Sequence, residues 1–269
     1  MRFALVNDER REASPGLMGY CPGCSQQMVL KCGSQRVWHW AHHGARNCDT
    51  WWEPETPWHR RWKNQFPLKW QEIIRHDEKG EKHIADVITE NGLVVEFQHS
   101  HLPAPEKAAR EAFYGNLLWI VNGTRLKRDR HRFLKRENLF RLPYTNHVFI
   151  TRSPELSLPS VWVKCTKPVV FDFEGFAVAN EIPGAMQEKL WCLLPGRIDG
   201  YATVVGISRA WFVDVAQTRQ AVIPVQAITR MVTSELRRQR VSAELSARRW
   251  DYTMRPRSGL FRNPRRRRY

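Results

Sequence analysis

Alternation of apolar and polar residues in the middle of the chain predicts an antiparallel meander of three strands. The predicted strands are residues 70–75, 83–89 and 93–98. Polar turn residues separate them at 77–81 and 90–92. A helix with proline at its start is predicted at 103–114, and an apolar strand at 117–121 follows it. Strands and helices mixed in this way predict the α/β (α+β) fold class.

A short helix is predicted just before the meander. Thr56 is a suitable N-cap and Pro57 a suitable first helical residue. One stripe of this helix carries two charged groups, an imidazole and an indole: Glu55, His59, Trp62 and Lys63. Such a stripe is a poor core face, so it favours an active cleft, with a solvated helix as the alternative.

Beyond residue 150, short apolar runs separated by Pro and Gly predict further strands. These runs are residues 161–163, 169–173, 190–193, 202–205 and 211–215. They are expected to extend the core or to form a small β subdomain. The acidic residues of this region are interpreted as solvated: Asp172, Glu174, Glu181 and Asp214. Apolar residues at helical spacing from Ala227 to Val241 predict an amphipathic basic helix.

The charge of the chain indicates a polyanionic partner. Among 269 residues, 43 are Lys or Arg and 27 are Asp or Glu, which gives a net charge of +16. Twelve arginines lie between 237 and 269, against Glu244 and Asp251, and a second basic block spans 125–141. Basic blocks bind nucleic-acid phosphates through counterion release. The alternative is a solvated helix face and a solubilising tail.

Two features predict a cytoplasmic protein. No apolar run approaches the length of a membrane span. The charged cluster at residues 7–12 interrupts any signal-peptide core. A membrane or secreted role is therefore not expected.

The cysteines are clustered rather than spread like a disulfide framework. Four of the six lie in the first 48 residues: Cys21, Cys24, Cys32 and Cys48. In a cytoplasmic chain such a cluster indicates a metal site. The Pro22-Gly23 turn lets the thiolates on either side of it face one ion. A hairpin of strands 28–31 and 36–38 is predicted to follow, and it leads to the histidines 39, 42 and 43.

The expected zinc ligands are Cys21, Cys24, His42 and Cys48. His39 is the substitute, because residues three apart on a strand point to opposite faces and do not easily share an ion. Four ligands close the tetrahedral shell, which predicts a structural zinc. The alternative is a set of stray cysteines beside an aromatic hairpin.

The register of the central hairpin predicts a second metal site. If the hairpin centres on Asn91, Asp86 lies directly opposite Glu96, and Gln98 points to the same face. Two adjacent carboxylates raise each other's pKa unless a cation joins them, and Mg²⁺ or Mn²⁺ prefers oxygen ligands. The alternative is a slipped register or an exposed carboxylate pair. On the next helix, Arg110 is placed to face phosphate.

The order of these motifs carries a family resemblance. A Cys-x-x-Cys with a His-aromatic-Ala-His hairpin precedes a Trp-His-x-x-Trp-Lys helix. His-x-Ala-Asp-Val, Glu-Phe-Gln-x-Ser, an Arg-x-x-x-Tyr helix and a Trp-Ile strand follow. Over residues 18–150 the chain resembles the competence protein CoiA-like family, whose central part belongs to the PD-(D/E)XK nuclease superfamily.

The resemblance implies a restriction-endonuclease-like core. Asp86 and Glu96 would hold Mg²⁺ or Mn²⁺, and Gln98 would stand where the superfamily usually has Lys. Glu55 would be the acidic residue of the first helix, with His59 and Lys63 beside the same cleft, and either could supply the missing positive charge.

The implied activity is metal-dependent DNA hydrolysis in recombination or uptake, with RNA left open. The first alternative is a DNA-binding protein with a degenerate nuclease fold that does not cleave. A third possibility is a zinc-mediated protein adaptor, which would show little salt-dependent affinity for DNA.

Five regions are expected. They are a zinc-binding hairpin region at 1–52, a nuclease-like core at 53–153, a β-rich extension or subdomain at 154–216, an amphipathic basic helix at 217–250 and a disordered Arg-rich tail at 251–269.

Overall fold

The structure is a computed structural model that describes residues 1–43, 48–51, 53–135, 137–173 and 189–254, with side chains up to residue 250. Within these residues it holds two β-sheets and five α-helices. This is the mixed α/β class that the sequence predicts.

The N-terminal sheet has five strands in the order β2-β1-β3-β4-β5. They are β1 (Phe3–Val6), β2 (Glu9–Glu12), β3 (Gly19–Tyr20), β4 (Gln27–Lys31) and β5 (His39–His42). The predicted strand at 36–38 is wrong, because the strand begins at His39. Trp40 explains the shift: its side chain is 1% exposed in the core of this sheet, whereas Trp38 is 47% exposed.

The second sheet has nine strands in the order β10-β11-β14-β13-β12-β9-β8-β7-β6. They are β6 (Gln71–His76), β7 (Lys82–Ile88), β8 (Val94–Gln98), β9 (Leu117–Asn122), β10 (Phe140–Arg141), β11 (Val148–Thr151), β12 (Val169–Asp172), β13 (Lys189–Leu193) and β14 (Ala202–Ser208). β9 runs parallel to both β8 and β12, and the other pairs are antiparallel. The strands after residue 150 therefore continue the sheet of the meander.

Helices cover this sheet. They are α1 (Pro57–Lys63), α2 (Ala104–Tyr114), α3 (Lys127–Lys135), α4 (Arg209–Thr218) and α5 (Val225–Met254). Central strand β9 is buried along its whole length. Leu118 and Ile120 pack in the cluster that includes side chains of α1, α4 and α5, and Trp119 packs in the cluster that includes α2 and α3. Alternate residues of one strand thus serve two cores.

Two strands predicted in the C-terminal half are short helices instead. Residues 161–163 overlap a 3₁₀ turn at Ser160–Trp162, and residues 211–215 lie in α4. Ser208 caps α4 by accepting a hydrogen bond from the Trp211 N–H. Phe212, Val215 and Ala216 are buried at helical spacing, so the period of three to four decides the element rather than the short apolar run.

Asp172 is also placed differently from the prediction. Its side chain is fully buried and accepts hydrogen bonds from the indole N–H groups of Trp58 at 3.1 Å and Trp62 at 3.0 Å. Arg209 pairs with it at 2.9 Å. Asp214 is exposed as expected, whereas Glu174 and Glu181 lie outside the described residues.

The predicted basic helix corresponds to α5, which is exposed from Arg237 onward as far as its side chains are described. The first four residues of the predicted tail continue α5, and residues 255–269 lie outside the described part of the chain. Across the described ranges, every helix is too short or too polar to cross a bilayer.

Candidate functional site

A cleft lined by many ionisable side chains lies where the N-terminal sheet meets the meander. Its charged and ionisable lining residues are His42, Cys48, Asp49, Glu53, Glu55, His59, Lys63, Glu72, Asp86, Glu96 and Arg110. The lining includes five of the six predicted catalytic residues, and Gln98 is the exception among the described positions. The site is therefore built from α1, α2 and the β6–β8 meander together with the N-terminal sheet.

The central hairpin has the predicted register. Val87 pairs with Val95 and Ile88 with Val94, so Asp86 and Glu96 come next to each other at the open end of the ladder. At this end, the two carboxylates accept hydrogen bonds from backbone N–H groups of the opposite strand. The Asp86 N–H donates to Glu96 Oε1 at 3.1 Å, and the Phe97 N–H donates to Asp86 Oδ2 at 3.0 Å. Both carboxylates are thus fixed by the backbone of the opposite strand.

Lys63 brings a buried positive charge to this pair. Its Nζ lies 3.0 Å from Asp86 Oδ1, 3.0 Å from Glu72 Oε1 and 3.8 Å from Glu55 Oε1. Burial lowers the pKa of Lys63, but the charges of these three carboxylates outweigh it and raise the pKa well above the usual value. Lys63 is consequently a permanent cation and does not act as a base.

Glu55 faces Lys63 from the segment just before α1. It is also bound by Arg60, whose NH2 lies 2.8 Å from Glu55 Oε2. Burial raises the pKa of Glu55, but the Lys63 charge and the Arg60 hydrogen bond leave it lowered overall. A lowered pKa keeps Glu55 ionised, so it holds Lys63 rather than donating a proton.

Glu72 is a cleft residue that the sequence analysis missed. It is 7% exposed at the start of β6, with a φ of 48° in the left-handed region that non-glycine residues rarely adopt. Its carboxylate accepts from the Arg2 N–H at 2.7 Å and from Lys63. Burial raises the pKa of Glu72, but the Lys63 charge brings it down to about 2. A charged residue at the start of an apolar strand was the available signal.

Arg110 does not face solvent phosphate as the sequence suggested. It is 6% exposed on α2 and donates to Glu96 Oε2 at 3.1 Å. Burial and the nearby Asp86 charge raise the pKa of Glu96 to about 8, although Arg110 opposes the shift. At neutral pH, then, the Asp86–Glu96 pair retains a proton on Glu96.

His59 is engaged away from the carboxylate pair. Its Nε2 lies 2.6 Å from Glu53 Oε1 and 2.8 Å from the Phe97 carbonyl oxygen, while Nδ1 accepts from the Thr56 N–H at 3.3 Å. Because both ring nitrogens have partners, His59 anchors α1 to β8, and Lys63 is the cation that reaches Asp86.

Glu53 is the second residue that the sequence analysis missed. Burial raises its pKa, but hydrogen bonds and the charge from His59 bring it down to about 2. Gln98 donates to Glu53 Oε2 at 2.9 Å, so this amide contacts a carboxylate outside the Asp86–Glu96 pair. The convergence of three oxygen-bearing side chains predicted at 86, 96 and 98 is therefore wrong for Gln98. Glu53 lies in a loop without periodicity, which explains why sequence patterns did not reveal it.

The four expected zinc ligands converge beside the cleft. The ligand atoms of Cys21, Cys24, His42 and Cys48 all lie within 4.8 Å of one another. The Sγ atoms of Cys21 and Cys48 are 3.6 Å apart, and Cys24 Sγ is 3.4 Å from His42 Nε2. A tetrahedral zinc with Zn–S bonds of about 2.3 Å needs S–S edges of about 3.8 Å, so this cluster could hold the ion.

His39 lies outside this cluster. Its Nδ1 is 2.9 Å from the Val37 carbonyl oxygen. His39 and His42 are the first and last residues of β5, and only His42 joins the cluster. The strand alternation that made His39 the substitute is therefore seen in the structure.

The residue that follows the last cysteine of the cluster connects the cluster to the meander through hydrogen bonds. Asp49 follows Cys48, and its carboxylate bonds His83 Nδ1 and the Ile84 N–H, each at 2.9 Å. The Trp51 ring stacks on His83 with 3.2 Å between ring centroids. These contacts fix the position of β7, which carries Asp86.

Comparison with known families adds one finding. Residues 18–50 match the family model described as Competence protein CoiA, N-terminal domain. The match supports the competence protein CoiA-like family. It covers all four residues of the cysteine–histidine cluster as well as Asp49, ends before Glu53 and the later carboxylates of the cleft, and suggests a competence-related role. Searches of curated proteins and of solved structures give no significant match.

Proposed function

We propose that this CoiA-like protein is a metal-dependent nuclease with a restriction-endonuclease-like core and a structural zinc. The observation that carries the proposal is the Lys63 ammonium 3.0 Å from the carboxylate of Asp86, next to Glu96, in a cleft of a protein with a net charge of +16. Two carboxylates and a cation at one point suit the hydrolysis of a phosphodiester.

Asp86 and Glu96 would hold Mg²⁺ or Mn²⁺. Mg²⁺ commonly takes one or two carboxylates and fills its shell with water and phosphate oxygens, and this pair offers that donor set. When bound, such an ion supplies Lewis-acid stabilisation of phosphoryl oxygens and lowers the pKa of a coordinated water. Binding requires Glu96 to lose the proton that its raised pKa retains.

Lys63 takes the role of the lysine that the resemblance expects at the position of Gln98. Water adds to phosphorus, the bond to one ester oxygen breaks, and that oxygen leaves as a hydroxyl. Negative charge grows on the phosphoryl oxygens in this step, and a preorganised buried cation stabilises it. Glu55 and Glu72 hold the ammonium group in place.

DNA is the proposed substrate, and RNA shares the phosphodiester chemistry. Basic blocks at 125–141 and 237–269 provide sequence-independent attraction for phosphates.

A DNA-binding protein that does not cleave is the second candidate. One observation favours it: each carboxylate oxygen of Asp86 and Glu96 already has a protein partner, from Lys63, Arg110 or a backbone N–H. The pair is thus satisfied without a metal.

Asp86→Ala separates the two candidates. Purified protein is incubated with labelled single-stranded, duplex and forked DNA in Mg²⁺, Mn²⁺ or EDTA. If the protein is a nuclease, cleavage should require the divalent ion and should disappear in Asp86→Ala while DNA binding persists. If the protein only binds DNA, neither the unsubstituted protein nor Asp86→Ala should cleave it. Asp214→Ala, which removes an exposed carboxylate on α4, is the matched control and should leave cleavage unchanged.

A further inference from the structure

A second groove lies at the carboxyl ends of the parallel strands β8 and β9. Its polar lining residues come from the loop after β8, the end of β9, the turn that follows it, α3 and the 3₁₀ turn at Ser160–Trp162. They are His99, Ser100, His101, Asn122, Arg125, Arg128, Asp129, Arg132 and Ser160. In open α/β sheets, ligands bind in the crevice outside the carboxyl ends of the strands.

The charge of this groove is positive. Arg125 and Arg128 are exposed in it, and Arg132 is half-buried. Asp129 is the acidic residue in the lining. Arg132 pairs with it at 3.0 Å, and Arg128 Nε lies 3.9 Å from the same carboxylate oxygen. The side chain of Arg128 is nevertheless 82% exposed, so its guanidinium group and that of Arg125 can contact an anion from solvent.

His99 adds a neutral donor at the end of the groove near the cleft. The Asn122 amide lies 2.8 Å from His99 Nδ1, and because the amide N–H donates, Nδ1 accepts and the ring proton is on Nε2. Asn122 is itself fixed, since its Oδ1 accepts from the Thr124 N–H at 2.9 Å. This arrangement offers an oriented N–H to a phosphate oxygen.

Glu53 connects the groove to the carboxylate cleft. One of its oxygens accepts from the His99 N–H at 3.0 Å and lies 2.6 Å from His59 Nε2, and the residue lines the cleft. His99 also follows Glu96 by three residues, which corresponds to about 10 Å along an extended chain. A strand with one phosphate at Glu96 therefore reaches the groove within a few nucleotides.

We propose that the groove formed by His99, Arg125 and Arg128 binds the phosphates of a nucleic-acid strand next to the one in the Asp86–Glu96 cleft. The position relative to the reacting phosphate rests on the nuclease proposed above, whereas phosphate binding in the groove does not. The ligand class is the phosphodiester backbone, recognised without regard to base sequence.

The test measures binding by the full chain in an Asp86→Ala background, so that no cleavage interferes. Fluorescence anisotropy of a labelled single-stranded DNA is followed over a salt series. Arg125→Ala/Arg128→Ala should weaken binding roughly 25-fold at about 0.1 M salt and reduce the slope of log K against log salt by about 1.4. Circular dichroism and the urea midpoint confirm that the variant is folded.

Arg36→Ala/Arg75→Ala is the matched control. Both arginines are exposed, lie outside the groove, and change the net charge by the same amount. The control should lose far less affinity and retain its salt slope. Equal losses in both double variants would mean that general charge alone attracts DNA, and they would overturn the groove, as would no loss in either.

A cleavage experiment then places the groove. Substrates with a single uncharged methylphosphonate are tested one position at a time in the chain with an intact Asp86. A neutral linkage adjacent to the cut should slow cleavage by the unsubstituted protein but should not slow cleavage by Arg125→Ala/Arg128→Ala. If the unsubstituted protein does not cleave at all, the nuclease proposal fails, and the anisotropy result still decides the groove. If cleavage occurs and both proteins respond equally, the placement is wrong.

Discussion

Glu96→Gln tests whether the carboxylate pair keeps a proton in the folded protein. Glu96 is 4% exposed, and burial and the Asp86 charge raise its pKa to about 8. Glutamine is nearly isosteric and cannot ionise. It can still accept from the Asp86 N–H, but its amide N–H group then faces Arg110. That mismatch lowers the free energy of unfolding by an amount that does not depend on pH.

The pH-dependent part has a definite sign. Below about pH 4.5, Glu96 is protonated in both the folded and the unfolded chain, so its stability contribution is constant. Between about pH 4.5 and 8 the unfolded chain releases the proton while the folded protein retains it, and stability falls by about 1.36 kcal/mol per pH unit. The full shift corresponds to about 5 kcal/mol, of which about 3 kcal/mol falls between roughly pH 5.5 and 7.5.

The assay is urea unfolding of both proteins at several pH values without divalent ions. The difference in unfolding free energy, Glu96→Gln minus the unsubstituted protein, should rise by about 3 kcal/mol from roughly pH 5.5 to 7.5 and level off above about pH 8. All other titrating groups are shared and cancel in this difference. A difference that stays constant with pH would show that Glu96 is already ionised and would refute the reasoning.

Three further predictions follow from the described contacts. Lys63→Met should reduce cleavage by about 10²- to 10³-fold with little change in DNA affinity, because it removes a preorganised cation, whereas Lys69→Met, at an exposed lysine, should not change the rate. Asp172→Ala should lower the free energy of unfolding by about 3–5 kcal/mol in urea titrations, because Arg209 and the two indole N–H groups lose the buried carboxylate that binds them, and an unchanged midpoint would contradict this ion pair. Elemental analysis should find zinc in the purified protein and lose it in Cys24→Ser, and retention of zinc by that variant would exclude the cluster as its site.

The hairpin of Asp86 and Glu96 was predictable because it depends on local information. Strand alternation and a short polar turn at Asn91 fix which residues face each other, so the observed register follows from the sequence. The clustering of Cys21, Cys24, His42 and Cys48 was predictable for a related reason, since a tight turn and one strand set the spacing of most ligands.

The partners of the hairpin were not predictable. Glu72 reaches Lys63 through an unusual backbone conformation, and Glu53 reaches His59 and Gln98 from a segment without periodicity. Asp172 looked solvated because a lone acidic residue after an apolar run is commonly exposed. Its burial depends on two indoles and Arg209, which come from distant parts of the chain.

The sequence by itself determined the strand order of the meander, the capped helix with Lys63, the cysteine–histidine spacing and the basic character of the chain. These properties depend on near neighbours, where side-chain periodicity and turn residues act directly on the backbone. Only the tertiary structure decided that Lys63 rather than His59 reaches Asp86, that Gln98 donates to Glu53, and that Arg110 donates to Glu96. Those outcomes depend on which distant charges are buried together, and a buried charge takes the partner that packing brings within reach.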